Sequence, residues 1–538
     1  MASRETQTPD NLNGAGILCR SVTGDSNQIT MRGLIAVKFD PVFKGRKDIG
    51  KLSFRVFKAP DFPIESHFSI QKGLPFAAGY RLYAFTMKIR TADALQLDVQ
   101  NKIYLYYGEE RMCGVVYNVL KRQNGTFHTS RLFRAGDKVM YFRQTYNNKL
   151  WFVVRPENMY DSFSQRIRVF RAWLTAKIKG PSDEILMFEK ESSRYEESAS
   201  VLYEALIDRG YQNIYYVINE NNPIIPQLDP KYRSHLIMKN SFRHLVAFLR
   251  CQTFIGTENI DHAMQLRASN RHLMEKMQST DLTHVFLQHG VMYMVSLDAD
   301  MRVFFLNHDL KRYRAVVSSE AEAMHFVLLG GFRKEDMYIT GLAKFDRSIR
   351  LPDADRIVIM PTWRRWETNQ AQKDFEHTGY YRMLQRMVEA VPEDLRDKII
   401  IKPHPLMEEM MQREETGLTG YLRPDLSHND ALERCRMLIT DYSSIAYDAF
   451  YRGANVVFCW EDKEYCMKQY GNAHLMINEY NVFGDVCYDQ KQLVAAVQRN
   501  YKEGQDPLYV RRYSNIVSFR DGRNTERIIR KLQEDGII

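Results

Sequence analysis

The sequence is poor in the features that would place it in several common classes. No stretch comes near the roughly 20 apolar residues that a membrane-crossing helix needs, although 44% of the 538 residues are hydrophobic. The first residues, MASRETQTPDNLNGAG, are polar and hold no apolar leader core, which predicts a protein that stays in the cytosol. Cysteine is scarce: there are seven, at 19, 113, 251, 435, 459, 466 and 487, with no CxxC pair. An odd, scattered set gives neither a disulfide framework nor a zinc site, and predicts reduced thiols packed as small apolar groups. The excess of one charge is mild, +9, and no zinc-finger, RNP or helix-turn-helix pattern turns it into a nucleic-acid signature. It suits another anion: a nucleotide, a phosphate polymer or an acidic membrane face. Solenoid-period repeats and low-complexity tracts are also missing.

What is present falls into segments of different texture, as a chain of this length predicts. Residues 1–158 read as a β-rich accessory domain after a polar start. Segments such as GLIAVKF (33–39), KLSFRVFK (51–58), YRLYAFTMKIRT (80–91), KIYLYY (102–107), KVMYFRQ (138–144) and KLWFVV (149–154) are rich in β-branched and aromatic residues. Several alternate with period two between turn-forming residues, the pattern of an antiparallel sandwich or barrel. A basic amphipathic linker helix follows at 159–182, where Phe163, Ile167, Phe170, Leu174 and Ile178 share one face. Arg166, Arg168, Arg171, Lys177 and Lys179 make the rest cationic, so the segment reads either as a membrane-surface helix or as a packed linker.

From residue 183 onward short apolar runs alternate with helical segments: EILMFE (184–189), IYYVIN (214–219), QTFIGT (252–257), HVFLQH (284–289), AVVSS (315–319), RIVIMPT (356–362), IIIKPH (399–404), MLITDY (437–442) and NVVFC (455–459). Apolar strands alternating with helices predict parallel sheets covered on both faces. The length allows two doubly wound domains, at 183–345 and 346–538, whose ligands bind beyond the carboxyl ends of the strands.

Four strand ends carry the chemistry. In LITDYSSIAYDAF (438–450), Ser443 and Ser444 open a helix, and free N–H groups, hydroxyls and the helix dipole together suit a diphosphate. Asp448 lies one turn further on, placed to reach a hydroxyl beside the phosphates. IIIKPHP (399–405) releases Lys402 and His404 at a strand end, one to bind phosphate oxygens and the other also to protonate a leaving group. VFLQHGVMY (285–293) ends a strand at His289, with Gly290 permitting a tight turn, so the imidazole is placed to deprotonate a hydroxyl. VIMPTWRRWE (358–367) ends at Pro361 and Thr362 and offers Arg364 and Arg365 to phosphate, while TGLAKFD (340–346) puts Lys344 in the connection between the two halves.

In this order these segments resemble the CDP-glycerol glycerophosphotransferase family, the polyol-phosphate transferases of teichoic acid and capsule. The resemblance spans 183–538, from ILMFEKESSRYEESASVLYEAL to the closing FRDGRNTERIIR (519–530). It implies a GT-B fold of two Rossmann-like domains. It implies transfer of a polyol phosphate from a CDP-linked donor to a lipid-linked polymer, with release of CMP. His289 falls on the family's proposed base, and Gln288, Gly290, Val291 and Met292 form part of the donor site. Lys344, Pro361, Thr362, Lys402, Pro403, His404, Ser443, Ser444 and Asp448 fall on positions that contact CDP-glycerol. Where the family often has HGTP, this chain reads HGVMYMVSL, and Ala343-Lys344 stands where many members have Pro-Arg. The resemblance implies neither cofactor nor metal, no nucleic acid, and work at the cytoplasmic face of a membrane. The pair Asp298 and Asp300 looks like a metal-binding DxD motif of a different transferase fold. Two other readings stand beside it: a GT-B glycosyltransferase using the same cleft for a nucleotide sugar, and a non-catalytic scaffold in which the basic helix and the β-rich domain bind membrane or polymer.

Overall fold

A computed structural model describes residues 15–25, 27–38, 46–57, 59–70, 80–97, 100–113, 115–118, 128–144, 150–264, 270–277, 279–297, 310–364, 366–371, 374–413, 416–470 and 474–538. Arg365 and the Asp298–Asp300 motif lie outside them. The contacts divide the chain into two compact units, Met1–Thr175 with Arg267–Ser279, and Ala176–Leu266 with Thr280–Ile538.

In the first unit the alternating segments form two sheets. One places Glu65–Ile70, Tyr80–Arg90, Gln28–Lys38, Ala15–Gly24 and Val115–Asn118 side by side. The other runs Phe133–Ala135, Lys138–Gln144, Leu150–Pro156, Gln100–Tyr107 and Leu52–Val56. Pairing is antiparallel except between Ala15–Gly24 and Val115–Asn118. Period-two burial appears directly: Leu52, Phe54 and Val56 are buried while Ser53 and Arg55 between them are half-exposed. The inward residues of both sheets, among them Met31, Phe85, Phe54, Leu105 and Phe152, make one apolar core. Arg155 and Asp161 form a buried bidentate pair at 2.6 and 2.8 Å.

The linker helix runs Phe163–Lys179. Its large apolar stripe faces outward: Phe163, Ile167, Phe170, Leu174 and Ile178 are 46–78% exposed. The small side, Val169, Ala172 and Ala176, is buried instead. His272, from the helix Arg271–Met277, stacks on Trp173 at 4.4 Å.

The second unit holds two parallel sheets. The first has the order Leu236–Met238, Ile214–Ile218, Ser182–Phe188, Cys251–Gly256, Thr283–Phe286, Arg312–Val317, Met337–Ile339. The second runs Ile399–Ile401, Arg356–Ile359, Cys435–Thr440, Asn455–Cys459, Asp485–Cys487. Their strands are apolar on both faces, as helix-covered parallel sheets require. One apolar cluster runs from Ile185 and Val285 of the first sheet to Val358 and Leu438 of the second.

The closing helix Asn524–Glu534 ties the end of the chain back to the first sheet. Asp535 takes hydrogen bonds from Arg314 at 2.5 Å and Tyr338 at 2.6 Å, and Asp346 accepts the N–H groups of Asn524 and Thr525. At Gly341, where φ is +79°, a Cβ would sit 2.3 Å from the Asn524 side chain, so only glycine fits.

Candidate active site

The strand Thr283–Phe286 ends in a backbone kink. Gln288 is buried at φ +59°, an uncommon conformation for a residue with a side chain, and its amide holds it there by donating to the Val316 carbonyl at 2.5 Å. The kink lets Val291 return to the core while His289 reaches solvent. Protein crowds the His289 ring, and desolvation lowers its pKa; Lys190 and Lys344 add to the lowering, while Glu197 and Glu258 oppose it. The imidazole is therefore neutral near pH 7 and can accept a proton.

The loop after His289 is clamped by residues that sequence reasoning missed. Glu322 accepts the N–H groups of Met292 and Ser318, both at 2.6 Å, and burial pushes its pKa up to about 7. His325, on the same helix (Glu320–Leu328), lies 2.9 Å from the Met292 carbonyl and accepts the Leu297 N–H at 2.8 Å. Those partners make Nδ1 the protonated nitrogen, and burial lowers the ring's pKa to about 4. Neither residue has a signal in the sequence beyond its place in an ordinary helix.

Lys344 reaches the same place from the inter-sheet connection. Its ammonium donates to the His289 carbonyl at 2.8 Å and pairs with Asp448 at 2.6 Å. A Cβ placed on Gly290 would lie 3.8 Å from both the Lys344 Nζ and the Ser444 Oγ. His289, Gly290, Lys344, Ser444 and Asp448 thus meet, although 159 positions separate the first from the last. Ser444 caps the helix Ile445–Tyr451 without a side-chain cap bond, and the Ser443 hydroxyl accepts the Ile445 N–H at 3.4 Å.

The other strand ends differ from the expectation in two residues. Arg364 does not face outward: it is 2% exposed, pairs with Asp441 at 3.1 Å and Asp462 at 2.7 Å, and also touches Cys466. Asp441 in turn accepts from the Thr362 N–H and hydroxyl, both at 2.7 Å. A guanidinium so enclosed ties the ends of two strands together. Lys402 is likewise buried, donating to Glu408 at 2.8 Å and to the Arg423 carbonyl at 3.2 Å. Pro361 and Pro403 are buried beside these turns. His404 is exposed, with its ring stacked on Trp363 at 4.8 Å and its pKa lowered by desolvation and by Lys190.

Lys190 thus acts on histidines from both sheets. It follows the strand Ser182–Phe188 in a turn of three successive left-handed residues, Lys190, Glu191 and Ser192, at φ 45°, 54° and 58°. Glu258 holds that turn by accepting the Glu191 N–H at 2.7 Å, and Lys190 pairs with Glu197 at 2.9 Å. The same field, from Lys402, Lys190 and Arg194, adds to burial in lowering His428 to about 4. The polar run EKESSRYEES directly after an apolar strand was the available signal for this turn.

Over residues 172–534 the sequence matches the family described as CDP-Glycerol:Poly(glycerophosphate) glycerophosphotransferase. The chain belongs to this family. The minor teichoic acid biosynthesis protein GgaB of Bacillus subtilis (strain 168) is 24% identical over 380 residues, which are 65% of this chain and 40% of GgaB. The chain therefore spans less than half the length of that relative. Among solved structures, the wall teichoic acid polymerase TagF aligns with a TM-score of 0.51 at 16% identity, covering 69% of this chain and 93% of TagF. A TagF variant soaked with CDPG gives 0.50 at 15% identity, with the same coverage. The likeness to TagF establishes a shared fold. The glycerophosphotransferase match takes in both parallel sheets and all the strand ends described above, and leaves residues 1–171 outside it.

Proposed function

We propose that the protein transfers glycerol phosphate, or a related polyol phosphate, from a CDP-linked donor to a teichoic-acid or capsule polymer and releases CMP. The observation that carries this reading is the meeting of His289, Lys344, Ser444 and Asp448, with Lys344 Nζ 2.8 Å from the His289 carbonyl and 2.6 Å from Asp448. A neutral base, an ammonium, a hydroxyl and a carboxylate suit in turn an acceptor hydroxyl, a diphosphate and a polyol. Family membership supplies the donor class.

In this reading His289 takes the proton of the acceptor's terminal hydroxyl, whose oxygen attacks the polyol-bearing phosphorus. The bond from that phosphorus to the bridging oxygen breaks, and CMP leaves with the oxygen and its electrons. Lys344 and the Ser443–Ser444 turn stabilise the phosphate charge, His404 assists the leaving group, and Asp448 holds a polyol hydroxyl. Gln288, Gly290, Val291 and Met292 shape the donor site, with Pro361, Thr362 and Pro403 supporting it. Lys402 and Arg364 act by holding the turns in place.

The finer architecture in this reading is GT-B, with Rossmann-like domains at 183–345 and 346–538 behind a β-rich domain at 1–158 and a linker at 159–182. The outward apolar stripe of the helix Phe163–Lys179, with its arginines and lysines, supports seating on an anionic membrane surface at the cytoplasmic side, beside a lipid-linked acceptor. No helix among the described residues is long and apolar enough to cross a membrane. The test is acceptor-dependent CMP release from CDP-glycerol, with CDP-ribitol in parallel, for wild type, His289→Ala and His404→Ala. Release that both substitutions abolish is expected. Release that survives His289→Ala overturns the assignment of the base.

A further inference from the structure

The β-rich unit carries a surface that the transfer reading does not use. Along strand Gln100–Tyr107, Ile103 and Leu105 belong to the core, while Lys102, Tyr104 and Tyr106 lie on the opposite face, Lys102 and Tyr106 half-exposed and Tyr104 buried beneath its neighbours. Arg55 and Phe57 come onto that face from the neighbouring strand and the residue after it, Arg111 from the next hairpin and Trp151 from the strand Leu150–Pro156. An outward sheet face needs only polar residues for solubility; this one interleaves cations with aromatic rings.

The cations lie over the rings. Lys102 Nζ sits 5.9 Å from the Phe57 ring and 5.7 Å from Trp151. The Arg111 guanidinium lies 5.2 Å from Phe57 and 5.0 Å from Tyr104, and that of Arg55 lies 5.2 Å from Tyr106. Glu109 pairs with Arg55 at 2.9 Å, whereas Lys102 forms no ion pair among the described residues. Held over rings, these long side chains have less rotamer freedom to lose on meeting an anion.

We propose that this face binds the polyol-phosphate polymer itself, gripping its phosphates along the chain while its end is extended elsewhere. The polymer's identity rests on the transfer reading; the charge pattern does not. A row of ordered cations matches an anion that repeats along a flexible chain. Ring faces already covered by cations do not also offer the open stacking platforms on which single-stranded nucleic acid depends.

The experiment measures binding of the full chain to synthetic poly(glycerol phosphate) by calorimetry across a salt series. Single-stranded oligothymidylate of equal charge and uncharged polyglycerol serve as comparisons. Lys102→Gln with Arg111→Gln is expected to weaken polymer binding about tenfold and to flatten the salt slope by about 1.5. Lys102→Arg with Arg111→Lys, which keeps both charges, is expected to restore binding and shows that a loss does not come from misfolding. CMP release with a short acceptor is expected to be unchanged in both variants. If polymer affinity is the same in wild type and the Gln variant, or if oligothymidylate binds the face more tightly than the polymer, the proposal is wrong. Wild type that binds polymer through these residues yet releases no CMP leaves this proposal standing and overturns the transfer reading instead.

Discussion

The two parallel sheets of the second unit treat charge at their strand ends in opposite ways. In the second sheet, Arg364 and Lys402 are buried and matched to Asp441, Asp462 and Glu408. Around the first, His289 and Lys190 project from kinked or left-handed turns, and Lys344 comes up beside them from the connection. A basic residue in a motif is thus no guide to whether it meets a ligand. In one half the paired charges hold loops in place; in the other Lys190 and Lys344 are paired as well, with Glu197 and Asp448, but they gather around His289, which reaches solvent.

Breaking the contrast on its structural side carries the largest effect. Arg364→Ala leaves Asp441 buried without its counter-ion and is expected to cost about 3–5 kcal/mol in urea unfolding. Arg364→Lys is expected to recover only part, because a lysine cannot span two carboxylates. On the chemical side, His289→Ala should lower the transfer rate roughly 100- to 10,000-fold with an unchanged unfolding midpoint. If that substitution unfolds the protein instead, the contrast fails.

Lys344→Ala sharpens the comparison further and should cost about tenfold in rate through loss of a charged donor. It also carries a pH signature. A positive neighbour disfavours the protonated imidazole, so Lys344 lowers the pKa of His289, and that ring stays a competent base to lower pH than an ordinary histidine. Removing Lys344 raises that pKa, so the acid limb of the kcat/KM profile should move to higher pH. An unmoved limb would separate Lys344 from the base.

The smallest effect on stability belongs to the outward stripe of the linker helix. Ile167→Gln with Phe170→Gln should change unfolding by no more than about 0.5 kcal/mol per substitution, yet reduce pelleting with anionic vesicles. Unchanged pelleting would return that helix to the role of a linker.

Much of the candidate site was legible wherever one local signal sufficed. An apolar strand followed by His289-Gly290, or by Ser443-Ser444, announces a turn whose polar groups leave the sheet at its ligand-binding edge. The same logic failed for Arg364 and Lys402 because the partners that turn them inward, Asp462 and Glu408, arrive by packing. It missed Glu322 and His325 because nothing local distinguishes them from solvated helix residues, and it passed over Lys190 although the polar run after its strand marked the turn. In the linker helix periodicity found the large apolar stripe, and only the structure showed that this stripe is exposed while the small side is buried.

By itself, then, the sequence determined the order of elements, the burial period of each strand and the motifs that mark the family, because these depend on neighbours within a few residues. Only the tertiary structure decided which partner each charged group meets and which of the pairs gather around His289. The field at His289 is a sum over Glu197, Lys190, Lys344 and Glu258, which come from three separate parts of the chain and meet only when the strands are laid side by side.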